Sequence, residues 1–184
     1  MTSRKPSVAA IGGELIEPVP IGARAVYLVE TRSQDEAREV ERLFDELESR
    51  ARVCKLCEGK LLSYVVQTSR SDSALLDEIE DVLKATCGFV VTQGSFDEVI
   101  YRIVRELCED TGSTLLPARE CDVCGRPEPF PSTVATRNGK GLMASSRQCC
   151  GGCAAKAMER AELARRPLRN RQVRGKDARL ATVR

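Results

Sequence analysis

The spacing of apolar residues changes several times along the chain, and each change marks an element. AVYLV, residues 25–29, is an unbroken apolar run of strand formers and predicts a buried strand. In the following SQDEAREVERLFDELESRA, the residues Ala37, Val40, Leu43, Phe44, Leu47 and Ala51 recur at helical spacing and make one apolar face. Ser33 and Glu36 open that helix at capping-box spacing, in which each side chain satisfies a free backbone N–H of the other residue. LLSYVV, residues 61–66, predicts a second strand, and Glu58-Gly59-Lys60 before it a tight turn that makes RVCKLC its antiparallel partner. Leu75, Leu76, Ile79, Val82 and Leu83 then line a second helix, and GFVVT, residues 88–92, is another strand. Phe96, Val99, Ile100, Ile103, Val104, Leu107 and Cys108 stripe a third helix, with Ser95 and Glu98 repeating the capping box.

This order predicts an α/β domain over residues 24–111, with helices packed on a sheet. With the hairpin, the βαββαβ arrangement plus a terminal helix resembles the ferredoxin-like α/β sandwich. Without it, a small parallel three-stranded sheet remains. The resemblance is one of topology and implies no function. Residues 1–23, with three prolines and three glycines, predict a flexible lead-in. TGSTLLPAR, residues 111–119, predicts a linker, with 112–119 joining the first domain to a second module over 120–166.

Cysteine changes the picture more than any other residue type. The chain holds nine cysteines and no histidine. Apolar runs are too short for a membrane span, and the N-terminal segment lacks the layout of a secretory signal. A reducing, cytoplasmic location is therefore expected, with the cysteines as metal ligands and core thiols, not a disulfide scaffold. Cys121 and Cys124 stand two residues apart and are followed by Gly125, and Cys150 and Cys153 flank Gly151-Gly152 ahead of a run of strong helix formers. Such pairs wrap a single ion, and a helix N-terminus favours negative sulfur. Cys149 is a spare thiol that can replace Cys150 at a wider spacing, although the two-residue spacing is the commoner one for zinc.

Between the pairs, Asn138-Gly139 signals a hairpin. Knuckle, hairpin and a helix opening with the second pair resemble a treble-clef zinc finger over residues 119–166. The resemblance implies one Zn2+ held by Cys121, Cys124, Cys150 and Cys153, with no ligand position left open for water. Cys54 and Cys57 have a knuckle's spacing without a second pair. They predict a second metal site completed by Cys87 and Cys108, a redox pair, or two ordinary strand residues. Cys108 fits its helix stripe as a core residue.

Without histidine, His-dependent triads and mixed Cys/His zinc sites are excluded. The glutamate setting of zinc deaminases and the phosphate-cradling glycine loops are missing too. Asp77, Glu78, Glu80 and Asp81 fall opposite the apolar stripe and read as solvated surface. The expectation is a non-catalytic protein. Charge divides the chain: residues 1–115 carry 14 Lys and Arg against 21 Asp and Glu, while residues 116–184 carry 15 against 6. Arg165, Arg166, Arg169, Arg171, Arg174 and Lys176 come densely and without aromatics, which suits phosphate-backbone contact and not base stacking. Residues 167–184 read as a disordered basic tail. The function expected is a zinc-binding adaptor that contacts nucleic acid, RNA or a ribonucleoprotein foremost, and also a protein partner. The alternatives are a protein–protein interaction module and a cysteine-based redox or metal sensor.

Overall fold

The computed structural model describes residues 9–11, 14–16, 22–69, 72, 74–87, 89–94, 96–137 and 142–165. Its elements in chain order are β1 (Ala9–Ile11), β2 (Glu14–Ile16), β3 (Arg24–Glu30), α1 (Gln34–Leu47), β4 (Arg52–Glu58), β5 (Leu61–Gln67), α2 (Ala74–Thr86), β6 (Phe89–Gln93), α3 (Glu98–Thr111), β7 (Thr114–Leu115), β8 (Ser132–Arg137), β9 (Met143–Cys149) and α4 (Gly151–Arg165). They fall into two compact units, Pro20–Pro131 and Met1–Val19 with Ser132–Arg184.

The first unit is an antiparallel five-stranded sheet in the order β6-β3-β5-β4-β7. Leaving out β7, the strands run fourth, first, third, second, which is the ferredoxin-like order expected from the hairpin. Gly59 makes that hairpin: at φ +124° it takes up a backbone conformation other residues avoid, letting β4 turn directly into β5.

Alternation along the strands sends side chains to two faces, and each face has its own core. On one, Ala25, Tyr27, Val29, Leu62, Tyr64 and Val66 meet Val40, Phe44 and Leu47 of α1 and Leu75, Leu76, Ile79 and Leu83 of α2. Phe44 stacks on Tyr64 with ring centroids 3.9 Å apart, and the Tyr27 hydroxyl donates to the Leu76 carbonyl at 3.0 Å. Burial, then the nearby Glu80 and Asp77, pushes ionisation of Tyr27 well above the usual tyrosine range. On the other face, Val26, Leu28, Leu56, Leu61 and Val65 are covered by Val104 and Cys108 of α3 and by Phe130. Val82, Val99 and Ile103, placed on the apolar stripes by their spacing, are exposed.

Both caps differ in detail from their expected form. Ser33 accepts from the Glu36 N–H at 3.2 Å, but the Glu36 carboxylate accepts from the N–H of Arg32. At α3 the cap is Asp97, which accepts from the Ile100 N–H at 3.0 Å, so the helix starts two residues later than a Ser95 cap would set. Residues 111–119, expected as linker, include β7, whose Leu115 stands opposite Cys57 on the sheet edge.

In the second unit, β8 and β9 form the antiparallel hairpin, within a four-stranded sheet ordered β1-β2-β8-β9. The expected lead-in thus supplies two short strands, with Leu15 opposite Ala135. The Asn138-Gly139 turn lies outside the described residues. Helix α4 packs on β2, β8 and β9.

Candidate metal centre

Cys121 and Cys124 sit in a tight loop closed by backbone bonds. The Gly125 N–H donates to the Cys121 carbonyl at 2.8 Å, and the Cys121 N–H to the Arg126 carbonyl at 2.9 Å. Gly125 has φ +70°, a left-handed conformation that favours glycine at this turn. Beyond the loop, Glu128 is buried and pairs with Arg24 at 3.0 Å while accepting from the Phe130 N–H at 3.1 Å. Arg24 and Arg52 in turn lie over the Phe130 ring. A buried carboxylate is stable only with such partners, so this cluster pins the segment that follows the loop.

Cys150 directly precedes α4, and Cys153 lies in its first turn. The Cys150 carbonyl accepts from the Ala154 N–H at 3.0 Å, the opening bond of the helix. The N-terminus of a helix is a locally positive field that suits negative sulfur.

The sulfurs of Cys121, Cys124, Cys150 and Cys153 all lie within 4.8 Å of one another. A tetrahedral thiolate site with metal–sulfur bonds of about 2.3 Å needs sulfurs about 3.8 Å apart, so the four need only draw together slightly to close on an ion. The donor set is entirely sulfur, which suits soft or borderline tetrahedral metals and not magnesium or calcium. Burial is graded, with Cys121 buried, Cys150 and Cys153 half-buried and Cys124 exposed. Among the described residues no other group of three or more potential ligands is gathered for a metal ion. Cys149 stays outside the group, buried at the end of β9 opposite Ser132.

The remaining sequence candidates fall elsewhere. Cys57 is joined to Cys108 by a disulfide, an arrangement not expected from core thiols. Cys54 packs against the same core as that pair, whereas Cys87 packs on the opposite face of the sheet, so these four cysteines do not converge. Burial raises the thiols of Cys54 and Cys87 above their usual range; Arg119 opposes this at Cys54 and Arg32 at Cys87. Arg165 is the last residue of α4, and Arg166, Arg169, Arg171, Arg174 and Lys176 lie outside the described residues. Among the described residues, no helix is long and apolar enough to cross a membrane.

Compared with known proteins, the chain matches no family model, no curated protein and no solved structure.

Proposed function

We propose that the chain is a non-catalytic zinc-binding adaptor of treble-clef type, in which the ion stiffens the base of a basic, nucleic-acid-contacting end. The convergence of four cysteine sulfurs carries this reading. Four protein sulfurs fill a zinc tetrahedron and leave no position for a reacting water, so the metal's role is structural. The Arg-rich run begins at the last residue of α4, the helix whose first turn holds Cys153, so ordering that helix fixes where the positive charge starts. From Lys156 onward, ten Lys and Arg face three Asp and Glu. Guanidinium groups without aromatic neighbours neutralise phosphates and read little sequence. RNA or a ribonucleoprotein is the partner this chemistry fits.

Titrating the full chain against single-stranded RNA and duplex DNA over a range of salt tests the reading. Binding should weaken steeply as salt rises, with little dependence on sequence, and should be lost on deletion of residues 167–184. Unchanged binding after that deletion removes the nucleic-acid role from the tail.

A second reading, a protein-binding module, is favoured by Val90, Val99 and Ile103, which are exposed at 62%, 52% and 40%. Val90 stands opposite Leu28 and so lies on the same sheet face that α3 covers. Charge substitution at Val90 and Ile103 that leaves nucleic-acid binding intact but abolishes a protein complex would favour it.

A further inference from the structure

Cys57 and Cys108 lie inside the core under α3, bonded to each other and both 0% exposed. Their bond ties β4 to α3 across a sequence separation of 51 residues. No solvent-borne reagent reaches either sulfur directly. Thiol–disulfide exchange requires in-line access to sulfur, so exchange at this bond needs an intermediary.

The same strand supplies one. In a regular strand, residues three apart point to opposite faces. Here the ladder shifts register between Lys55 and Cys57, so that Cys54 stands opposite Val65 and Cys57 opposite Ser63. Val65 and Ser63 are two apart on β5 and share a face. The bulge therefore turns Cys54 and Cys57 toward one core, and Cys54 packs against the cluster that contains Cys57 and Cys108. Cys54 differs from them in being only half-buried. Ser63, opposite both Leu28 and Cys57, is wholly buried, and its hydroxyl has no hydrogen-bond partner among the described residues. A disulfide is a poor partner for it, whereas a thiol can donate to it and a thiolate can accept from it. The site thus holds a polar group that is better satisfied when Cys57 is reduced.

We propose that Cys54, Cys57 and Cys108 form a thiol relay in which Cys54 exchanges with a low-molecular-weight disulfide or thiol and the buried Cys57–Cys108 pair is oxidised or reduced through it. In oxidation, the Cys54 thiolate attacks a small disulfide RSSR, forming Cys54–S–SR and releasing one RS−. The Cys57 thiolate attacks the Cys54 sulfur and expels the second RS−. The Cys108 thiolate then attacks the Cys57 sulfur, which leaves the Cys57–Cys108 bond and returns Cys54 as a thiolate that takes up a proton. In sum, two protein thiols become one disulfide, RSSR becomes two RSH, and the two protons lost by Cys57 and Cys108 end on the small thiols. Reduction reverses the three steps.

The reduced, zinc-loaded chain is exposed to oxidised glutathione, quenched in acid, denatured, alkylated and mapped by peptide mass. The wild type should show Cys57 joined to Cys108 with Cys54 alkylated. Cys54→Ser should slow that bond at least tenfold, and Cys57→Ser should accumulate glutathione on Cys54. Zinc content, read in the same samples, should stay constant, which separates this chemistry from oxidation of the metal thiolates. Should Cys54→Ser fail to fold, selective alkylation of Cys54 in the reduced native chain gives the same comparison. Bond formation at the wild-type rate when Cys54 is replaced or blocked overturns the relay. So does recovery of Cys57 and Cys108 as alkylated thiols after oxidation.

Discussion

Helix α2 and helix α4 are of similar length but are held by different means. Helix α2 sinks Leu75, Leu76, Ile79 and Leu83 into a core with Phe44, Tyr27 and Tyr64. From Ser132 onward, the buried described residues are Ser132, Val134, Ala135, Cys149 and Ala154, none larger than valine. Side chains this small remove little apolar surface from water, so packing among these described residues contributes little stabilisation. The first region is ordered by packing, and on the proposed reading the second is ordered by the ion its four sulfurs would hold.

Removing the metal should break the comparison most sharply. Structural zinc contributes roughly 10–16 kcal/mol in finger peptides at neutral pH. A strong chelator, or Cys124→Ser, should therefore release backbone protection in β9 and α4 while β5 stays protected, as read by amide hydrogen exchange. Equal loss in both regions would mean that they do not differ in this way. Acid should do the same as chelation, because thiolates must bind protons before they let the ion go.

The converse perturbation is Phe44→Ala. It empties a stacked position between Tyr27 and Tyr64 and should destabilise the sheet unit by about 3–5 kcal/mol in denaturant unfolding, with zinc stoichiometry unchanged. Arg24→Met should have an effect of about the same size by another route, since it strands the buried Glu128 carboxylate without its cation. Replacing Glu128 by Gln in that background should recover part of the loss, because an amide tolerates burial without a charged partner. The smallest effect is expected at a cap: Asp97→Ala should reduce stability by about 1 kcal/mol, seen as early fraying of α3.

Where the sequence was legible, local pattern and tertiary packing agreed. Helical spacing of Val40, Phe44 and Leu47 named the buried face of α1, and the turn before Lys60 fixed the hairpin and hence the strand order. The cysteine pairs were legible for a similar reason, since a two-residue spacing followed by glycine or a helix is itself the geometry of a knuckle. Other features depend on partners far along the chain. Glu14–Ile16 is too short to show periodicity, and it becomes a strand by pairing with Val134–Thr136. Thr114–Leu115 likewise becomes a strand only beside β4.

At α3, Ser95 and Asp97 are both good capping residues, and a spacing rule chose the former where the backbone uses the latter. The Cys57–Cys108 bond was hidden by the bulge in β4, because simple alternation places Cys57 on the α1–α2 face. The acidic residues Asp77, Glu78 and Asp81 are exposed as expected, and Glu80 pairs with Lys84 at 2.6 Å.

Native mass spectrometry of the full chain, with metal analysis of the same sample, tests the central claim most directly. One zinc per chain is predicted, lost when Cys150 and Cys153 are both changed to serine and retained when Cys149 alone is changed. A metal-free chain whose α4 is still protected from exchange, or a double variant that keeps its ion, would contradict it.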